Sequence, residues 1–293
     1  MSGSTIGLPV IFGSVFAHQA EAMAIKRYGD KHGKGGMFFN AIICLFAVIF
    51  YLISDKGGLI FPSGVVIYGL INSCLYATGF YTGYLSYLNG SFGLTKLITS
   101  FTCIIPIFYG IVFAGESQPP IFYVAFTLIL ASLFLMRFQK ADVEGGKGKF
   151  SPKWIISVIF VIISNGFISI LGKMQHAAFG DTYKNEFLII TYIGSAFWLF
   201  LTGFVFERKS FLSTVKYGVL YGAVAGLCNG IGNWLNLTSY NYLDLSVSVP
   251  LKTGAGLVLS FLISLIVYKE RFSTRQIIAV ILGILAVILI NLA

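Results

Sequence analysis

Long apolar runs alternate with short polar, glycine- or proline-containing stretches along the whole chain. A helix needs about 20 apolar residues to cross a hydrocarbon core ~30 Å thick, and the runs predict helices of about that length. The predicted spans are 6–24, 37–53, 65–84, 94–113, 121–136, 154–171, 187–206, 217–237, 247–268 and 277–292. We therefore predict an all-α integral membrane protein with ten transmembrane helices, for which the lipid bilayer is the solvent.

One long polar stretch divides the chain near its middle. Residues 139–153 predict a basic linker between a first five-helix repeat, residues 1–138, and a second, residues 154–293. The repeats share weak similarity, such as Tyr-Gly at 68–69 and again at 221–222. Because five is odd, tandem copies cross the membrane in opposite senses, as in secondary transporters built from inverted repeats. This plan predicts a substrate site between the halves.

The composition supports a membrane protein: 57% of the residues are hydrophobic and 11% are charged. The net charge of +9 does not indicate a nucleic-acid partner, because 15 of the 20 basic residues lie in loops after predicted helices one, five, seven and nine. Basic residues accumulate on the cytoplasmic side. Their distribution predicts both termini outside the cytoplasm, and we expect the cytoplasmic membrane of a prokaryote. The four cysteines lie singly in apolar segments, so we expect neither a metal site nor a cofactor.

The sequence VSVPLKTGAGLVLSFLISLIVYKERFSTRQIIAVILGILAVILINL, residues 247–292, resembles the two closing helices of the drug/metabolite transporter superfamily, which includes the small multidrug resistance proteins. The ten-helix, two-repeat layout is similar to the EamA-like branch. The resemblance implies a transporter. From the inverted repeats we expect alternating access, and because ten helices are enough to form the pathway in one chain, we expect a monomer. The resemblance also implies termini in the cytoplasm, opposite to the prediction from charge.

The small multidrug resistance proteins carry a proton-exchanging Glu eight positions before a Lys. Matching Lys26 to that Lys places His18 at the functional position, and the same spacing from Lys173 gives Asn165. The coupling carboxylate of these relatives is therefore absent at both matching positions. This puts their exchange of protons for cations in doubt here.

His18 and Glu21 are three residues apart, on one face of predicted helix one. Charged groups inside a membrane are costly and are functional candidates by default. Because imidazole changes its charge near neutral pH, the two predict a proton-coupling pair or a polar substrate contact. The alternative is structural: Glu21 lies near the inner interface and His18 bonds a neighbouring carbonyl.

Lys252 lies inside predicted helix nine, between Pro250 and the pair Gly254 and Gly256. Proline releases a helical carbonyl and favours a kink, and glycines permit close approach of a backbone or ligand. This context predicts a cationic anchor for a carboxylate or phosphate. The alternatives are a lysine that reaches the outer surface, as is favoured for Lys96, or one that pairs with Glu21.

Predicted helix eight carries two patterns. Gly222, Gly226 and Gly230 form a small-residue seam for close helix packing. Three asparagines spaced i, i+4 and i+7 favour a cavity wall over contacts between helices. The predicted substrate contacts, with the aromatic and hydroxyl side chains nearby, are His18, Tyr76, Tyr81, Thr99, Asn165, Asn229, Asn233, Trp234, Asn236 and Lys252, and Pro106 is a predicted hinge.

These features favour a secondary transporter for a small polar metabolite, such as an amino acid or another carboxylate or zwitterion, coupled to a proton or a counter-substrate. The chain has no phosphate-binding loop for ATP. The main alternative is an exporter of cationic or hydrophobic amines. An integral-membrane enzyme is disfavoured because the histidines and acids are not clustered, and a receptor or scaffold does not explain a polar interior between duplicated halves.

Overall fold

The computed structural model describes residues 3–33, 35–55, 57–89, 99–136, 152–267 and 274–292. The predicted linker up to residue 151, Lys96 and the start of predicted helix four lie outside these ranges. The described helices, which we label α1 to α10, are Gly3–His32, Gly36–Ser54, Ser63–Asn89, Ile104–Val112, Pro120–Met136, Pro152–Phe179, Lys184–Phe206, Phe211–Ser239, Leu245–Ile266 and Thr274–Leu292. Short 3-10 turns at Ser100–Cys103 and Arg208–Ser210 lead into α4 and α8.

Six of the described helices, α1, α2, α3, α6, α7 and α8, are long and apolar enough to cross a membrane. Shorter apolar stretches lie in α4, α5, α9 and α10. Large apolar side chains such as Phe16, Ile53 and Leu220 are exposed on the outer surface, which suits contact with lipid. The all-helical membrane class is therefore supported, whereas the number of crossings stays a prediction.

Helices of the predicted first half pack mainly on helices of the predicted second half. The extensive contacts join α1 with α8, α2 with α7 and α8, α3 with α6 and α7, and α5 with α10. The core accordingly contains apolar side chains from both halves, among them Tyr51 and Leu199. A site between the halves is thus inside the helix bundle.

Glycines let α8 approach α2 closely. A Cβ added to Gly226 would overlap the carbonyl oxygen of Ile43. A Cβ at Gly222 would lie 2.6 Å from Ile42 Cγ2, and one at Gly230 would lie 3.1 Å from Phe50 Cδ1. Backbone contact of this kind is the usual function of small residues between membrane helices.

Two carboxylates accept hydrogen bonds from backbone N–H groups at the starts of helices. Glu207, directly after α7, accepts from Met37 N at 2.9 Å. Glu116, between α4 and α5, accepts from Leu245 N at 3.0 Å and Ser246 N at 2.8 Å, and Lys173 Nζ lies 3.7 Å from it. Acids at helix starts satisfy unpaired donors and interact favourably with the helix dipole. Burial raises the pKa of Glu207, against the effect of its hydrogen bond from Met37.

Candidate functional site

A cavity of about 730 Å³ lies between the two halves of the bundle. Its walls come from α1, α3, α6, α8 and α9, with contributions from α2, α7 and the segment 99–103 that leads into α4. This volume is in the range of small-molecule sites, about 300–1,000 Å³. The predicted site residues that line it are His18, Glu21, Tyr76, Thr99, Asn165, Asn229, Asn233, Asn236, Lys252 and Gly256.

Glu21 is the buried acid of the cavity, with 8% of its surface exposed. Its Oε2 lies 3.0 Å from His18 Nδ1, and its Oε1 accepts a 2.8 Å hydrogen bond from Asn229 Nδ2. The imidazole of His18 packs on Gly232, where an added Cβ would lie 2.9 Å from the ring. A buried charge needs such partners, so α1 and α8 together stabilise the carboxylate.

Amide and phenol groups continue this network across two further helices. Tyr192 of α7 donates from its hydroxyl to Asn229 Oδ1. Asn233 Nδ2 donates to the Tyr192 hydroxyl at 2.9 Å, and Tyr76 of α3 donates to Asn233 Oδ1 at 2.9 Å. Hydrogen bonds therefore connect α1, α8, α7 and α3 along one side of the cavity. Networks in a low-dielectric interior fix side-chain positions strongly.

Lys252 supplies a cation to another part of the same cavity. Its Nζ donates to Asn236 Oδ1 at 3.3 Å, and Asn236 Nδ2 donates to the Tyr240 hydroxyl at 3.3 Å. The lysine is intermediate in burial, and Pro250 and Gly254 beside it are buried in α9. The structure thus brings Lys252 to the asparagine stripe of α8.

Two of the predicted substrate contacts lie elsewhere. Trp234 donates from Nε1 to Asn185 Oδ1 at 3.1 Å, and Lys184 Nζ lies 3.9 Å from the centre of its ring. Tyr81 packs against the apolar core. Pro106, the predicted hinge, is buried in α4. Trp234 points away because successive side chains on a helix are about 100° apart, so it cannot share the face of Asn233.

The prediction from sequence did not include Tyr192, Gln19 or Asn72. Gln19 Nε2 donates to Gly256 O at 3.1 Å and its Oε1 accepts from Ser260, which joins α1 to α9. Asn72 Nδ2 donates to Thr191 at 3.3 Å, and within the described residues its Oδ1 has no hydrogen-bond partner. The available signal was the same in each case: a side chain with hydrogen-bonding groups in the middle of an apolar run.

The sequence profile of the EamA-like transporter family matches residues 152–292, from α6 through α10. This part of the chain, 141 of 293 residues, is similar to the EamA-like transporter family. A protein of known crystal structure superposes on 98% of this chain and 97% of its own chain, with a TM-score of 0.74 and 14% sequence identity. That likeness shows a shared fold alone. No curated protein matches the sequence.

The predicted resemblance to the drug/metabolite transporter superfamily is confirmed over residues 152–292 by the family match. The EamA-like match also indicates a membrane transporter, which agrees with the long apolar helices.

Proposed function

We propose that this EamA-like protein is a secondary transporter that binds a small polar metabolite in the central cavity. The observation that carries the proposal is the stripe of Asn229, Asn233 and Asn236, which lines the cavity and contacts both Glu21 and Lys252. Three amides in one membrane helix are expected to face protein or water. A cavity with few polar groups among apolar walls is typical of a small-molecule site.

Transport is proposed to occur by alternating access between two inverted repeats of five helices. The two halves pack on one another around the cavity, so a change in their relative position would open one end and close the other. The glycines of α8 and α9 are the proposed sliding surfaces. Ten helices are enough to form the pathway within one chain, so we propose that the protein works as a monomer.

The favoured substrate is an amino acid or another carboxylate or zwitterion. Lys252 provides a cation within the cavity, and a carboxylate is its natural partner. The second candidate is the export of amines, which Glu21 and the aromatic side chains of Tyr76 and Phe80 would favour. The two candidates differ in a measurable way. Replacing Lys252 by Gln is expected to abolish carboxylate transport and to leave amine transport intact.

His18 and Glu21 are the proposed proton-coupling pair. A protonated imidazole neutralises Glu21 at 3.0 Å, whereas a neutral imidazole leaves the buried carboxylate with Asn229 as its other partner. Lys26, on the same helix, also faces the cavity and contributes positive charge. The charge inside the cavity therefore depends on pH, and an inward or outward proton gradient is expected to drive the solute.

The test is solute uptake into liposomes that contain the purified protein, measured over a range of pH. Candidate solutes are amino acids, organic anions and amines. The variants His18→Gln and Glu21→Gln should flatten the pH profile of uptake, whereas His32→Gln, at the end of the same helix, should not. Unchanged profiles in both cavity variants would leave this pair with a structural role. Absence of uptake for every solute class would contradict the proposal that the protein is a transporter.

The orientation proposed from charge, with both termini outside the cytoplasm, has a separate test. A tag at the C-terminus should be modified by a membrane-impermeant reagent added to intact cells. Modification only after the inner side is exposed would establish the opposite orientation.

A further inference from the structure

The cavity contains two groups of opposite charge, and each is bonded to a different asparagine of α8. Glu21 accepts from Asn229, and Lys252 donates to Asn236. These asparagines are seven residues apart, which is a rise of about 10 Å along a helix at 1.5 Å per residue. Glu21 and Lys252, which we call the acidic pole and the cationic pole, are therefore separated along one wall of the cavity.

From this spacing we propose that the cavity binds a linear zwitterion of dipeptide length, an inference that rests on the function proposed above. The ligand ammonium contacts Glu21, and the ligand carboxylate contacts Lys252. We take the ~10 Å helical rise between Asn229 and Asn236 as the separation of the Glu21 and Lys252 charged groups. Two charge-assisted hydrogen bonds of about 2.8 Å each then leave roughly 5 Å between the charged groups of the ligand. An extended chain advances ~3.5 Å per residue, or just over 1 Å per bond, so four or five bonds cover this distance.

The spacing distinguishes between ligand classes. An α-amino acid has its two charges two bonds apart and reaches only one pole at a time. A dipeptide, with five bonds between its amino nitrogen and its carboxyl carbon, reaches both. The carboxylate of Glu21 can accept further hydrogen bonds besides those it already has, because its two oxygens offer about four acceptor positions. The ligand ammonium therefore binds without displacing Asn229.

Asn72 adds a reason to favour a peptide over an unsubstituted chain. Its side chain is 1% exposed and lines the cavity, and its Oδ1 has no partner within the described residues. It bonds Thr191, the neighbour of Tyr192, whose hydroxyl contacts Asn229 and Asn233. Tyr76, one helical turn after Asn72 in α3, donates to Asn233, which lies between Asn229 and Asn236 in α8. A buried acceptor without a donor is costly, and the peptide N–H of a bound dipeptide supplies that donor.

The experiment is a binding series on the purified full-length protein in detergent, with affinity measured by calorimetry and by ligand-induced thermal shift. The compounds are glycine, β-alanine, 4-aminobutyrate, 5-aminopentanoate, 6-aminohexanoate and glycylglycine. We expect glycylglycine and 5-aminopentanoate to bind at least ~10-fold more tightly than glycine, because tenfold corresponds to only about 1.4 kcal/mol and both poles are engaged.

Variants identify the poles. Lys252→Gln and Glu21→Gln should each remove the length preference, whereas Lys153→Gln, at an exposed position outside the cavity, should keep it. Asn72→Leu should weaken binding of glycylglycine and leave 5-aminopentanoate unchanged. Melting without ligand shows that each variant is folded.

Equal affinity across the series, tighter binding of glycine, or a length preference that persists in Lys252→Gln would overturn the inference. Absence of binding to every compound would also overturn it. The proposal that the protein is a transporter would still hold if liposomes take up another solute and this uptake depends on Asn233. Absence of uptake for every solute would instead contradict the proposal that the protein is a transporter.

Discussion

Two neighbouring faces of α8 carry the same four-residue spacing and have opposite chemistry. One face has Gly222, Gly226 and Gly230, and it lies against the backbone and side chains of α2. The other has Asn229 and Asn233, and it lies against Glu21, Tyr192 and Tyr76 at the cavity. The glycine face depends on the lack of side chains, and the asparagine face depends on hydrogen-bonding groups.

The comparison separates stability from function within one helix. Close packing at the glycine face leaves no room for a side chain, so replacing one of these glycines should reduce the amount of folded protein. The asparagine face has its side chains already bonded, and its amides remain accessible from the cavity. Changes there should reduce transport more than they reduce folding.

Gly226→Ala should have the largest effect. The new Cβ would overlap the carbonyl of Ile43, and a backbone atom cannot move aside as a flexible side chain does. Overpacking of this kind costs about 1–3 kcal/mol and occasionally more. We expect little or no folded protein, measured as the monodisperse fraction on size-exclusion chromatography and as the melting temperature. The control is Gly29→Ala, because no described heavy atom lies within 4 Å of a Cβ there. Equal melting of both variants would contradict a packing role for the glycine face.

Asn229→Leu should have the second-largest effect. It removes the donor to Glu21 and the acceptor of Tyr192, and it leaves buried polar groups with fewer partners. Such a loss costs about 1–3 kcal/mol. Solute uptake should be lost although most of the protein still folds. Asn241→Ser is the matched control, because Asn241 is exposed and bonds Asp181. An Asn229→Leu variant with wild-type uptake would show that the asparagine face is only structural.

Tyr192→Phe should have a smaller effect. The ring still packs, and only the hydroxyl that links Asn229 to Asn233 is removed. A hydrogen bond contributes about 0.5–1.5 kcal/mol net, so we expect a modest decrease in melting temperature and a fewfold decrease in uptake. Tyr217→Phe, at an exposed position near the start of α8, is the comparison. A complete loss of folding would place Tyr192 with the packing residues instead.

Glu207→Gln should have the smallest effect, and it depends on pH. Burial raises the pKa of Glu207 above its ordinary value of 4.5, so the folded protein binds this proton more tightly than the unfolded chain does. Stability from this group is therefore greater at low pH and falls as pH rises through the raised pKa. Gln still accepts from Met37 N and does not titrate. The melting temperature of the variant should vary less between pH 4 and pH 7, about the range in which such a carboxyl titrates. An unchanged profile would contradict the raised pKa.

Much of this organisation was predictable from the sequence. Apolar runs gave the helices, and four-residue spacing indicated the glycine and asparagine faces of α8. Helix ends were less predictable: α1 continues through charged residues to His32, and α6 continues to Phe179. Charged residues at the end of a membrane helix extend beyond the apolar core without breaking the helix, so hydropathy alone underestimates the length.

The partners across the cavity were not predictable. Tyr192 lies in an apolar run, and its bonds to Asn229 and Asn233 depend on how α7 and α8 pack. Trp234 was predicted at the site because it adjoins Asn233 in the chain, but it lies beneath Lys184. Periodicity gives the face of a helix, whereas the neighbour that this face meets is a property of the tertiary structure.

The most direct test of the central claim is uptake by Asn233→Leu in liposomes, relative to the amount of folded protein. The solutes are amino acids, organic anions and amines, each supplied with and without a proton gradient. If the asparagine face of α8 forms the transport site, the wild type carries at least one class and Asn233→Leu loses about 10-fold or more of that rate, as expected when over 1.4 kcal/mol of binding is lost. Uptake by folded Asn233→Leu at the wild-type rate would contradict the account.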